Sequence, residues 1–249
     1  MTVANERDEL PVLEGDDFER GAQWLIALVR ADIAQTVAPA DVRRGLVAAG
    51  LLRTAELMEH SWLAHQNALH LPGQMLFRAM VDNWLVSRYL MEGPDDALAR
   101  MLKSYQGHRQ RIAELTGLRQ DPRIQGPPAG TKKMPQALQL AEMLDREDRL
   151  ATSGDPPKGS ARWWYGWAYA PTSESAIHSG FGALERYVRR ASEGFEFVAR
   201  PDPLTDATRC FRLSMGTATD HLVRAYSYLG IDRSRIGELV GFRVRAPET

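Results

Sequence analysis

The stretch QMLFRAMVDNWLVSRYLM, residues 74–91, decides the fold class of this 249-residue chain. Twelve of its 18 residues are apolar, and at helical periodicity they do not keep to one stripe. A helix that is apolar nearly all round is normally buried, so this segment is predicted to be the central helix. Arg78 and Asp82 lie four residues apart in it, which places both side chains on one face.

The composition of the rest of the chain also favours helix. The sequence has 31 Ala and 28 Leu but only 13 Val and 7 Ile, and Ala and Leu form helices more readily than the β-branched residues do. We therefore predict an all-α fold: a multi-helix up-and-down bundle of about six to eight helices around the central one.

Apolar periodicity and capping residues place the other helices. They are predicted over residues 16–37, 41–69, 94–116, 135–150 and 205–229, with a short terminal helix within 231–242. Asp16 and Asp41 are suited to cap the first two, and residues 71–73 are expected to form a turn before the central helix. Residues 1–15 are predicted to be a loose tail and residues 16–245 a single domain.

A loop-rich region precedes an aromatic-rich helix. Residues 117–160 hold two Gly- and Pro-rich loops around one short helix, and long loops of this kind are commonly lids or binding loops. Residues 163–169 then carry five of the 20 aromatic side chains. Pro171 is expected to end that helix and a new one to follow, while the GFEF segment, residues 194–197, is the only stretch with β character.

Charge and cysteine content exclude several functional classes. With 31 basic and 32 acidic residues the chain lacks the basic excess of a dedicated nucleic-acid binder. Its single cysteine cannot form an internal disulfide, and it has neither an 18-residue apolar run nor a signal-like start. These features predict a cytoplasmic protein without a membrane partner.

Arg78 and Asp82 are the first candidate site residues. A charged pair in a core helix is costly to bury and calls for a reason. One reason is a structural ion pair that bonds a neighbouring helix end. The other is a guanidinium presented to a small anionic ligand, with Asp82 orienting a partner.

Ser175 and His178 form the second candidate pair. They lie three residues apart, so the hydroxyl and the imidazole share one helical turn, and imidazole transfers protons near neutral pH. Serine hydrolysis is not indicated, because there is no Gly-x-Ser-x-Gly elbow. A buried, hydrogen-bonded histidine that fills a helix contact explains the same residues.

Two Glu-x-x-x-His spacings, Glu56 to His60 and Glu174 to His178, would place each pair on one helix face. Helical di-metal sites use further acids and typically a Glu-x-x-His spacing, so we predict no metal and no other cofactor. Arg53 and His60 also loosely satisfy the Arg-to-His spacing of the HEPN helical ribonucleases, to which this helix has a limited resemblance.

The aromatic cluster offers two further candidates, Tyr165 and Tyr169, as walls of a ligand pocket. The alternative is that the rings pack into the core or a dimer surface. Exposed aromatic surface over residues 163–169 would favour a homodimer.

The order of these features resembles an all-helical bacterial family of domains of unknown function. In that family an Arg-x-x-x-Glu helix precedes a Ser-x-x-His segment, and the resemblance covers roughly residues 40–230. It implies that Arg78, Asp82, Ser175 and His178 converge, although Asp82 stands where glutamate is usual. Three interpretations stay open: an enzyme with His178 as acid or base, a ligand-binding module, and a structural or dimerisation domain with a buried polar network.

Overall fold

The computed structural model describes residues 15–35, 41–116, 129–150, 154–172, 188–191, 194–197, 207–232 and 236. Within these residues the helices are α1 (Gly15–Gln35), α2 (Val42–Gln66), α3 (His70–Glu92), α4 (Ala97–Thr116), α5 (Ala137–Glu147), α6 (Ala161–Thr172) and α7 (Ala207–Leu229). The strands β1 (Val188–Ala191) and β2 (Gly194–Phe197) form one antiparallel hairpin. The prediction of an all-α fold is confirmed, and the GFEF segment is the strand β2.

Helix α3 is central because two of its faces enter two separate apolar clusters. Met80 and Leu90 join the cluster built mainly from α1, α2 and α7. Phe77, Val81 and Trp84 join a second cluster with α5 and α6. The predicted burial of this helix agrees with these contacts, and its apolar residues on several sides fill two cores.

Helix directions follow from pairs of contacting residues. The Tyr226 hydroxyl donates to the Asp32 carboxylate at 2.9 Å, and the Arg212 guanidinium lies over the Phe18 ring, so α7 runs parallel to α1. Asn83 of α3 bonds Thr54 of α2, and Thr54 bonds His221 of α7. Arg43, earlier in α2, bonds Leu90, later in α3, and His65, later in α2, stacks on Phe211, earlier in α7. Helix α2 is therefore antiparallel to both α3 and α7, which are parallel to each other.

Two adjacent arginines at the start of α2 bond the ends of two other helices. Arg43 donates to the carbonyls of Leu90 and Gly93 at the C-terminus of α3. Arg44 donates to the Leu229 carbonyl at the C-terminus of α7. Because the last carbonyls of a helix have no partner within it and carry its negative dipole end, a guanidinium placed there stabilises the helix end.

The sequence placed two helix starts wrongly. Helix α3 begins at His70, so Pro72 lies in its first turn and the turn falls at residues 67–69. Proline is tolerated in a first turn, because the N–H it lacks would have had no helical partner there. Helix α1 begins at Gly15, so Asp16 is inside it, whereas Asp41 does cap α2 by accepting from the Arg43 N–H.

Helices α5 and α6 form a second layer against α3. The buried Asp145 carboxylate accepts from the backbone N–H of Ala161 and pairs with Arg162, which fixes the start of α6 on α5. Trp164 then packs its ring against Gly216 of α7, where a β-carbon would approach the ring to 3.1 Å. No helix in the described residues is long and apolar enough to span a bilayer.

Candidate functional site

Arg78 and Asp82 share one face of α3, as predicted, but both are half-buried rather than fully buried. Burial raises the pKa of the Asp82 carboxyl, and the guanidiniums of Arg78 and Arg53 oppose that rise. Arg78 belongs to α3 and Arg53 to α2. Two helices thus place two guanidiniums around one partly desolvated carboxylate.

Arg53 is the exposed member of this group. It makes no hydrogen bond or ion pair with any described residue, although its charge acts on Asp82. Glu56 and His60 follow it along α2 and are exposed as well. The side chains of Arg53 and His60 are therefore exposed to solvent on α2.

Most of the other predicted site residues lie outside the described part of the chain. Ser175, His178 and Glu174 belong to residues 173–187, and the side chain of Tyr169 is also outside it. The predicted convergence of Ser175 and His178 with Arg78 and Asp82 stays a prediction. Residues 117–128 of the predicted loop 117–133 and residues 151–153 of the predicted loop 151–160 are outside as well, as is most of the terminal segment after residue 232.

The aromatic cluster of α6 packs largely as core. Trp164 is buried, and Trp163, Tyr165 and Trp167 are half-buried against the second apolar cluster. Trp163 meets Trp164 edge to face at 4.8 Å, and the Arg209 guanidinium lies 4.2 Å above the Trp167 ring. The packing interpretation of these tryptophans is thus the one that the structure favours, while a homodimer stays a prediction.

Arg88 is the buried charge of the central helix, and sequence reasoning passed over it. Its side chain is 1% exposed and donates to Glu92 and to Asp148. Arg224 of α7 contacts the same two carboxylates, at 3.0 Å from Glu92 and 3.5 Å from Asp148. Two arginines and two acids therefore close an alternating ring that joins α3, the end of α5 and α7.

Asp220 extends this ring. It pairs with Arg224 at 2.9 Å and accepts a hydrogen bond from the Trp84 indole at 2.7 Å, while Arg88 lies 5.2 Å from the centre of that indole ring. Every charge of the ring faces an opposite one, so its chemistry is that of a clamp between helices rather than of a ligand site. The i, i+4 spacing of Arg88 and Glu92 was the sequence signal for it.

A second polar group that the sequence did not reveal joins α2, α3 and α7. The Thr54 hydroxyl and His221 Nδ1 lie 2.7 Å apart, and the Asn83 amide donates both to that hydroxyl and to the Gly50 carbonyl at 2.9 Å. Burial lowers the pKa of His221 to about 3. The imidazole is therefore neutral at physiological pH and holds helices together rather than carrying charge.

Neither metal chemistry nor a known relative adds to this description. In the described residues no group of three or more His, Cys, Asp or Glu side chains is placed to hold a metal ion. No protein-family model, no curated protein and no solved structure matches the chain.

Proposed function

We propose that the protein binds a small anionic ligand, with a phosphate or carboxylate group, where Arg53 and Arg78 flank Asp82. The observation that carries this proposal is that two guanidiniums, one from α2 and one from α3, act on one half-buried carboxylate. Guanidinium forms charge-assisted, often bidentate hydrogen bonds to carboxylate and phosphate, and partial burial strengthens them relative to water.

Asp82 makes the binding dependent on pH. Burial raises the pKa of its carboxyl, and the guanidiniums of Arg78 and Arg53 oppose this. An anion bound to those arginines would offset their charge and raise the pKa further, so that Asp82 takes up a proton with the ligand. Affinity is therefore expected to increase as the pH falls towards the pKa of Asp82.

The family resemblance extends the proposed site to Ser175 and His178, with Tyr165 and Tyr169 as its walls. In that extension His178 is the acid or base and Ser175 orients a partner. Substituting His178→Ala should then weaken binding or turnover while the melting temperature changes little. A fall of several degrees instead would assign His178 to the core.

The test is calorimetric titration with phosphate, sulfate and succinate, together with the thermal shift that each ligand produces. At a ligand concentration of 100 times Kd, binding should stabilise the protein by about 2.7 kcal/mol. Arg53→Gln and Arg78→Gln should each weaken binding by roughly 10-fold or more. Arg30→Gln is the matched control, because Arg30 is an exposed arginine already paired with Glu59.

The proposal fails if none of the three anions binds, or if Arg30→Gln weakens binding as much as the two site substitutions do. If the affinity stays constant between pH 7.5 and pH 5 at fixed ionic strength, the two arginines can still form the binding site, but Asp82 takes no part in it.

A second candidate is ribonuclease activity, favoured by the exposure of both Arg53 and His60 on α2. An arginine that binds the scissile phosphate and a histidine that transfers a proton would both have to reach RNA from solvent. Incubation with RNA should then give cleavage that His60→Ala abolishes. Absence of cleavage by the wild-type protein rejects this candidate and leaves anion binding intact, because His60 takes no part in the latter.

A further inference from the structure

The interface between α2 and α7 contains buried polar atoms to which no described residue forms a hydrogen bond. Ser61 Oγ, Ser214 Oγ and His221 Nε2 are enclosed in the interior, and none of them has a hydrogen-bond partner among the described residues. Ser61 is 2% exposed and Ser214 0%. Buried hydroxyls are rarely left in this condition, because desolvation without a hydrogen bond is costly.

The helix register places Ser61 opposite Ser214. Helix α2 is antiparallel to α7, and Thr54 of α2 contacts His221 of α7. Ser61 lies seven residues after Thr54, and Ser214 lies seven residues before His221. Since seven residues are close to two helical turns, both serines return to the face of that contact and arrive at the same level.

The neighbouring pairs agree with this register. His65, one turn after Ser61, stacks on Phe211, one turn before Ser214, with ring centres 4.9 Å apart. The level of the two serines thus lies between two observed contacts of α2 with α7. Both hydroxyls are directed into the interior, because neither side chain reaches solvent.

We infer that this interface binds an ordered internal water molecule that bridges the hydroxyls of Ser61 and Ser214. Each hydroxyl both donates and accepts, which matches water, the smallest ligand that does the same. A buried water typically makes about three hydrogen bonds to polar groups that the protein leaves unpaired. No charged side chain is among the fully buried residues of this level, so an ion is not the expected occupant.

The sign of a stability change tests this site. If water bridges the hydroxyls, Ser61→Ala and Ser214→Ala each remove one of its partners and should lower the melting temperature by about 2–6 °C. If the hydroxyls are simply unpaired, the same substitutions remove buried polar groups and introduce the best helix former, so the melting temperature should rise.

Ser227→Ala is the matched control, since Ser227 is an exposed serine in the same helix α7 and reports helix propensity alone. The double variant Ser61→Ala/Ser214→Ala should lower the melting temperature by less than the sum of the two single decreases, because both single variants lose the same water. A rise in melting temperature for either single variant, or strict additivity in the double variant, overturns the proposal.

A measurement on the wild-type protein provides an independent check. Long-lived water should give NMR cross-peaks to the backbone amide protons of Ser61 and Ser214, and these should disappear in the double variant. Failure to observe them in the wild type would also overturn the site. The outcome does not depend on whether the protein binds an anion at Arg53 and Arg78.

Discussion

The Thr54 hydroxyl and His221 Nδ1 lie 2.7 Å apart in the interior, where both side chains are fully enclosed. Asn83 donates to the Thr54 oxygen from the third helix of this junction. Thr54 thus accepts from Asn83 and has its own proton to donate to His221 Nδ1, which assigns the remaining ring proton to Nε2. This chain of hydrogen bonds between three uncharged side chains fixes the register of α2, α3 and α7.

The free energy of unfolding should decrease as the pH falls, because His221 is buried in its neutral form. Burial lowers the pKa of this imidazole to about 3, from 6.5 when exposed, with no charged group contributing. Below pH 6.5 the unfolded chain takes up a proton that the folded protein does not. The contribution of neutral His221 to the free energy of unfolding is thus fully present above pH 6.5. It falls by about 2 kcal/mol by pH 5 and decreases further as the pH approaches 3.

His221→Gln removes this titration while retaining hydrogen-bonding capacity. The variant should be less stable than the wild type at pH 7.5, and the difference should narrow at pH 5, as measured by urea unfolding at both values. A difference that is the same at both pH values would show that His221 is not the group responsible.

The sequence was sufficient to locate the central helix but not the charge buried within it. The helix over residues 74–91 has apolar residues nearly all round, which indicates burial on more than one side. Met80 and Phe77 do lie in different apolar clusters. Arg78 and Arg88 look alike in that pattern. Only the position of α5, which brings Asp148 to Arg88, distinguishes the buried arginine from the half-buried one. That contact spans 60 residues, beyond the range of helical periodicity.

Gly50 is expected to resist substitution because of Ser87. A β-carbon on Gly50 would lie 2.5 Å from Oγ of the buried Ser87, so that hydroxyl would have to shift. Gly50→Ala should therefore lower the free energy of unfolding by about 1–2 kcal/mol, since the clash outweighs the helix propensity that alanine gains. Urea unfolding measures this change.

Ser87→Ala provides the reciprocal test. With that oxygen removed, the nearest Ser87 atom would be Cβ at 3.7 Å, an ordinary contact. Gly50→Ala should then stabilise the Ser87→Ala background by up to about 1 kcal/mol. If Gly50→Ala has the same effect in both backgrounds, Ser87 is not what requires glycine at this position.

Arg43 is predicted to stabilise a helix other than its own. Arg43→Ala removes the donors to Leu90 and Gly93 and should accelerate amide hydrogen exchange at the C-terminal turn of α3. A loss of about 1–2 kcal/mol in unfolding free energy is expected. Arg53→Ala is the control within α2, because Arg53 bonds no described residue. Faster exchange confined to α2 would contradict this assignment.

The ring of Arg88, Glu92, Arg224 and Asp148 should be the costliest charged group to break. Arg88→Met keeps the apolar bulk against Trp84 but leaves two acids sharing one arginine, so we expect a loss of about 3 kcal/mol in unfolding free energy. Arg30→Met is the control. Its pair with Glu59 has a short 2.7 Å contact, but the side chains are 51% and 41% exposed, and solvent screening leaves such pairs a small contribution to stability. Equal losses of unfolding free energy in Arg88→Met and Arg30→Met would show that burial does not strengthen the ion pairs of Arg88. These pairs would then stabilise the protein no more than exposed ones do.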